Sequence, residues 1–417
     1  MIRAAALLAA ACGAAQAETW LYRVALDPDE PLLARVVVEL PAARRVQDFS
    51  VQARGLAAGV STQVGEIRCD GAPLAPDSAS AWQVQAGRCL NLTWTVALSA
   101  PPEGGVDLRA KESFHDSTAG YWLFSEATSL LRPVDDARHG GEIDFVGRGP
   151  AHGAAPVGAT ARRLLPAADD SFGFYVIGRL PGATVREGGF ETLHLDADGG
   201  DRRVLVAEHG RALRYLGRAA GARQLAPLRS TVVWIGGATD DGTPVGVAGY
   251  RTLLLSTATR DGRMQQEETA LAWLLREQLL QAMPDRLPTW ARESLAQYYA
   301  IRALRRSELP PSAVAMVERR LLDAPAPHSR LREAQRRLEA GDEPARAELR
   351  AAGATFWERV DRAIVRKSGF RTLDSVLPQL LAAQWPGGRL PPAVRERLQR
   401  YAGESAIEEL LAQYVGD

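Results

Sequence analysis

From Thr19 to about Val134 the chain alternates apolar and polar positions. Trp20, Tyr22, Val24 and Leu26 follow this pattern, as do Leu90, Leu92, Trp94, Val96 and Leu98. A period of two buries one set of side chains and leaves the other in water, which predicts an antiparallel β sandwich. Turn residues separate the strands, for example Asp70-Gly71-Ala72-Pro73 and residues 101–105. Residues 136–168 are rich in Gly, Ala and Pro and read as a connection or domain boundary. From Phe172 to Ser256 the apolar runs 174–177, 204–206, 231–235 and 250–256 predict strands of a mixed sheet, with a helix at 211–216. After Gln265 the pattern is helical almost to the end, with breaks expected at Pro284, Pro288, Pro310-Pro311, Pro325, Pro327, Gly353 and Pro386-Gly387-Gly388. The expected class is therefore a multidomain α+β chain. It comprises a β-sandwich domain over 18–165, a mixed α/β domain over 166–305 and a helical domain over 306–417.

The first residues change the reading of the cysteines. Met1-Ile2-Arg3, an Ala/Leu run from Ala4 to Ala11 and the small residues Ala15-Gln16-Ala17 form a secretory signal over 1–17, with Glu18 as the expected mature N-terminus. Acylation at Cys12 is a weaker alternative, because Ala9-Ala10-Ala11 is a poor lipobox. Processing leaves Cys69 and Cys89, an even pair in an oxidising compartment, and a disulfide between them is expected. The expected location is periplasmic or secreted. No later apolar run is long enough to span a bilayer, so the mature chain is expected to have no transmembrane segment.

Charge narrows the partners. The chain has 50 basic and 50 acidic residues, a net charge of zero that argues against nucleic acid or an anionic membrane as the main partner. Lys111 and Lys367 are the only lysines; with abundant Ala this reflects a GC-rich genome, so the arginines carry no functional weight by number. His115, His139, His152, His194, His209 and His328 contain no i, i+4 pair, and His115 beside Asp116 reads as a loop residue. No Gly-x-Ser-x-Gly elbow or phosphate-cradling loop is present. Residues 236–242 read as a turn, with calcium binding only a weak option.

The informative segment is an almost wholly apolar helix from Leu271 to Met283, followed by Pro284-Asp285-Arg286-Leu287-Pro288 and a second helix starting at the candidate cap Thr289. Trp290-Ala291-Arg292-Glu293-Ser294-Leu295-Ala296-Gln297-Tyr298-Tyr299 resembles the Trp-x-x-Glu-Gly-x-Ala-x-Tyr-Tyr helix of gluzincin metallopeptidases, most closely the glycyl-aminopeptidase type. Ser294 stands in place of the Gly. The domain order is similar too, as is the ending from Glu404 to Val415. The resemblance implies a thermolysin-like domain over 166–305, with Glu293 as a metal-ligand position.

The chain departs from that family's preceding His-Glu-x-x-His helix. Laid on residues 276–280, the motif keeps Glu277 at the general-base position and has Arg276 and Leu280 where the zinc-binding histidines stand. Arginine has five donors and no lone pair, and leucine offers no ligand atom. Zinc needs three protein ligands, so the resemblance implies a vestigial site of Arg276, Glu277, Leu280 and Glu293, with zinc lost and no cofactor. The spacing from Leu280 to Glu293 is shorter than the family's, and the register is therefore a choice. Arg276 is expected to place a fixed cation near Glu277 or Glu293, with escape of its head group to solvent as the bland alternative.

Three functions stay open. The first is a non-catalytic, peptidase-like protein that binds a peptide or an envelope protein. The second is an active aminopeptidase or other hydrolase with an atypical site, using unusual zinc ligands or Glu277 and Glu293 alone. The third is a structural envelope protein. Metal content with an aminopeptidase assay separates them.

Overall fold

The computed structural model describes residues 19–57, 62–77, 81–101, 106–134, 140–147, 149–154, 162–166, 172–221, 224–236, 245–257, 263–322 and 330–416. The signal segment, Cys12, His139, His328, Pro325, Pro327 and the 237–242 part of the expected turn lie outside these residues.

Alternation does produce strands. Trp20–Leu26 and Asn91–Ala97 bury Trp20, Tyr22, Val24, Leu92, Trp94 and Val96. Leu90 falls just before its strand and is exposed, so the expected period stops short of it. These strands belong to a seven-stranded sheet in the order Arg163–Leu165, Gly141–Val146, Trp20–Leu26, Leu33–Glu39, Asn91–Ala97, Val64–Cys69, Ala72–Pro73. Its one parallel pair joins Trp20–Leu26 to Gly141–Val146. The sheet packs on Phe49–Ala53 and on a four-stranded sheet ordered Ala151–His152, Phe174–Gly178, Tyr121–Ser125, Phe114–Asp116. Cys69 and Cys89 are disulfide-bonded, as expected.

Phe174–Gly178 lies beyond the boundary expected near 165, yet it pairs with Tyr121–Ser125 of the preceding layer. Its two faces serve two cores. Tyr175 and Ile177 join the sandwich core, whereas Phe174 and Val176 pack with Leu195, Val233 and Leu254 of the next sheet. A buried carboxylate ties the seam: Glu126 accepts from Arg54 at 2.8 Å, Arg132 at 3.0 Å and the Gly173 N–H at 2.8 Å.

The next sheet has the order Gly182–Glu187, Phe190–Asp196, Leu228–Gly236, Thr252–Thr257, Val245–Gly249. Residues 204–206, expected as a strand, instead open helix α1 (Arg203–Ala220). Burial recurs there at Leu205, His209, Ala212, Leu213 and Leu216, a helical period that a short apolar run does not reveal. Helix α2 (Arg263–Ala282) buries Ala270, Leu271, Ala272, Leu274, Leu275 and Leu279, matching its all-round apolar character. Helix α3 (Thr289–Leu304) follows; Pro288, not Thr289, takes the cap position and offers no side-chain acceptor, while Gln335 Oε1 accepts from the Trp290 N–H at 3.1 Å.

The remaining helices are α4 (Pro311–Leu322), α5 (Leu331–Glu339) and α6 (Ala345–Ser368), then Leu377–Ala382, Pro392–Ala402 and Glu404–Leu410. Gly353 does not break α6. A Cβ there would lie 2.1 Å from the Cβ of Ser294, so the residue is glycine because α6 meets α3 backbone to side chain.

Candidate functional site

Helices α2, α3 and α6 bring the sequence-predicted residues to one place. Arg276 on α2 donates to Glu277 Oε1 from Nε at 3.0 Å and from Nη2 at 2.7 Å, and to Gln297 Oε1 on α3 from Nη1 at 3.3 Å. Glu293, on the first turns of α3, accepts from Arg346 Nη1 at 2.8 Å and Arg350 Nε at 2.7 Å, both on α6. Arg350 Nη2 also lies 3.9 Å from Glu277 Oε1, so it stands between the two carboxylates. The result is a continuous chain of opposite charges: Arg276, Glu277, Arg350, Glu293, Arg346.

The cluster is desolvated. The side chains of Arg276 and Glu293 are only 8% and 6% exposed, and that of Glu277 13%. Burial would raise the Glu293 carboxyl, but Arg350 and Arg346 outweigh it and hold the group below its usual range. Burial lowers the Arg276 guanidinium, against the opposing pull of Glu277. The expected Arg276–carboxylate contact is therefore present, made to Glu277. Leu280 adds no polar atom; its side chain packs on the helical core, and its carbonyl accepts from Arg292 Nη2 at 2.8 Å.

The donor set does not match a zinc centre. Three guanidinium groups occupy the two carboxylates, and a guanidinium has no lone pair to give a metal. The buried histidines His194 and His209 are committed to a relay of their own. Trp234 Nε1 can only donate, and it meets His194 Nδ1 at 3.2 Å. His194 Nε2 therefore carries the proton and donates to His209 Nδ1 at 2.9 Å, and His209 Nε2 donates to Gln278 Oε1 at 2.8 Å. The Gln278 amide then donates to Thr192 Oγ1 at 2.8 Å and Ser230 Oγ at 3.0 Å. This directional relay keeps both rings neutral: burial pushes His209 down to about 4 and His194 well below its usual value. Gln278 lies two residues from Arg276, about 200° around α2, so the imidazole relay meets the helix on the side away from Arg276. Among the described residues, one group of three His, Cys, Asp or Glu side chains lies within metal-binding reach. It is Cys69, Asp70 and Cys89, whose sulfurs are already joined to each other.

The aromatic residues of the 290–299 motif are structural. Trp290 is fully buried, donates to Gly388 O at 2.9 Å and lies parallel to Trp357 with centroids 6.2 Å apart. Trp357 in turn donates to Ser294 Oγ at 2.8 Å. Tyr298 accepts from Arg302 at 2.7 Å, and Tyr299 donates to Asp374 at 3.3 Å. Arg302 also pairs with Asp361 and Asp374 in a second buried ion centre. The sequence reading missed Gln297, Arg346 and Arg350. No local motif marks them; Arg346 and Arg350 become visible only as an i, i+4 pair facing Glu293 across a helix interface. His115, expected in a loop, instead lies in the strand Phe114–Asp116, paired with Tyr121–Ser125, and its ring lies over that of Trp122 with centroids 4.6 Å apart.

The fold has known counterparts. An aminopeptidase N family protein from Idiomarina loihiensis superposes with a TM-score of 0.62 at 13% identity, over 95% of this chain and 74% of the other. A Glu-to-Ala mutant of an M1 zinc metallopeptidase from Deinococcus radiodurans, bound to a Tyr-Ser-Ala substrate, gives 0.49 at 17% identity, over 96% and 94%. The M1 zinc metallopeptidase of that organism without the substitution gives 0.48 at 15%, over 96% and 93%. No protein-family model and no curated protein sequence matches the chain. The chain shares its fold with the aminopeptidase N family protein, in line with the aminopeptidase-like fold expected from the 290–299 helix.

Proposed function

We propose that this chain is an exported, non-catalytic protein built on an aminopeptidase-type scaffold, and that it acts by binding a peptide or a protein. The observation that carries the reading is the Arg276–Glu277–Arg350–Glu293–Arg346 chain of charges. Glu277, the general-base position by resemblance, faces a guanidinium that cannot supply an activated water. Glu293, the ligand position by resemblance, is saturated by two arginines. Replacing a divalent cation by fixed guanidinium groups answers the same electrostatic need, since two inward carboxylates require a counter-charge. The Cys69–Cys89 disulfide supports an oxidising destination.

The test is zinc content by mass spectrometry on the purified mature protein, alongside hydrolysis of aminoacyl p-nitroanilides. Sub-stoichiometric zinc and no turnover above buffer are expected. One zinc per chain with turnover abolished by a chelator would overturn the proposal.

A further inference from the structure

The His194–His209 relay ties a helix to a sheet with no acceptor to spare. His194 lies on the strand Phe190–Asp196 and His209 on α1, and both rings are buried. Trp234 can only donate, and it occupies His194 Nδ1. His194 Nε2 then donates to His209 Nδ1, and His209 Nε2 to Gln278 Oε1. Turning the Gln278 amide over frees no site. It would reverse both rings and set a proton on His194 Nδ1 against the Trp234 N–H. A third proton on the two rings therefore opposes donor to donor, either between Trp234 and His194 or between the rings.

The two joints are not equally firm. Phe190–Asp196 and Leu228–Gly236 are paired in a parallel ladder along their whole contact, which holds Trp234 and His194 together. α1 has no ladder to the sheet and is held by side chains alone. Leu213 and Leu216 anchor its C-terminal half in the core. In its N-terminal half the inward side chains are Leu205 and His209, while Glu208 is taken by Arg211 and the Glu308 N–H. The same half presents Val206, Ala207 and Gly210 to a cavity of about 820 Å³, which His194 and Trp234 also line. The bond between the rings is thus the one that can give.

No neighbouring charge favours an imidazolium. On the cavity side Arg202 lies 4.8 Å over the Trp234 ring, bonded to Asp196 and Asp198 and 3.9 Å from Glu267 of α2. Burial opposes a proton on either ring, and His209 and Arg202 oppose one on His194. α2 meets the pair with the neutral Gln278, and the sheet with Thr192, Ser230 and Trp234. The edge strand Gly182–Glu187 sets Ala183 opposite His194, and its Arg186 and Glu187 are paired with Glu191 and Arg214.

We propose that His194 and His209 form an acid-operated latch: one added proton breaks the bond between the rings, frees the N-terminal half of α1 from the sheet and opens the cavity between them. The latched form binds fewer protons than the open form, so acid favours opening. With His209 at about 4 when latched and an ordinary 6.5 when free, the equilibrium shifts roughly twentyfold toward opening between pH 7 and pH 5. The latch stands whether or not the Glu277–Glu293 centre is inert.

The test is hydrogen exchange read by mass spectrometry on the mature chain at pH 7 and pH 5, corrected for intrinsic exchange, with and without low urea. Peptides covering 203–210 are expected to lose protection roughly twentyfold at pH 5. Their exchange should be insensitive to urea, because a local opening exposes little surface, whereas that of the core strand Leu33–Glu39 should rise with it. His209→Asn and His209→Leu carry no titrating ring, and whichever of them folds should show less than about a threefold change between the two pH values. The proposal is overturned if protection of 203–210 is the same at both pH values, or if a folded variant loses it as the parent does. It is equally overturned if 203–210 exchanges with the rate and urea dependence of Leu33–Glu39, since the proton would then act only through global unfolding.

Discussion

Replacing Glu293 by Gln removes the charge that holds α6 to α3 while keeping the shape of the side chain. The carboxylate makes two charge-assisted hydrogen bonds, at 2.8 Å to Arg346 and 2.7 Å to Arg350. Bonds of this class contribute about 1.5–3 kcal/mol each. The amide retains one acceptor oxygen. Arg346 and Arg350 are 36% and 24% exposed and keep Glu343 and Glu277 nearby, so water and these neighbours recover part of the loss. The expected destabilisation is about 2 kcal/mol, read from urea unfolding followed by tryptophan fluorescence. The pH dependence provides a second reading with a fixed sign. Because Arg350 and Arg346 hold the folded carboxyl below its ordinary 4.5, the advantage over Glu293→Gln is full above that value. It closes as the pH falls through the lower folded value. A cycle with Arg350→Met should show a coupling of about 1 kcal/mol. A change of less than about 0.5 kcal/mol for Glu293→Gln, with no coupling to Arg350, would refute the claim that this carboxylate is an ion-pair anchor.

Three further outcomes follow from other parts of the molecule. Gly353→Ala is expected to cost about 1–3 kcal/mol by overpacking against Ser294, and Ser294→Gly in the same chain should recover most of that loss in thermal melts. Since His209 is held at about 4 in the folded state, the unfolded chain takes up that proton first on acidification. His209 alone should lower stability below pH 6.5 by about 1.4 kcal/mol per unit until pH 4, in addition to the contribution of His194, and His209→Gln should remove the His209 share of the slope. Reducing the Cys69–Cys89 bridge, which closes a separation of 20 residues, should lower stability by about 3 kcal/mol in the chain-entropy account, and intact-mass analysis before and after reduction checks the bond.

The parts legible in the sequence were those encoded locally. Alternation over Trp20–Leu26 and the all-round apolar helix α2 follow from burial of one face or of every face, and both appear as periods in a short window. Trp290, Tyr298 and Tyr299 were legible because large aromatics at helical spacing fill a core whatever the function. The disulfide followed from parity once an oxidising destination was assumed. What was lost depends on distant partners. Gly353 read as a break because its reason, the approach of Ser294, lies 59 positions away on another helix. Residues 204–206 read as a strand because three apolar residues fit either period. Arg346 and Arg350 were hidden among the many arginines of the chain, although they determine what the two carboxylates can do.

The most direct measurement of the central claim is an anomalous-difference map at the zinc absorption edge, from crystals of the mature protein grown with excess zinc. The account predicts no peak at coordination distance, about 2.0–2.2 Å, from Glu277 or Glu293, with the guanidinium groups of Arg276 and Arg350 in their places. A full-occupancy peak bridging those two carboxylates, with Arg350 displaced, would contradict it.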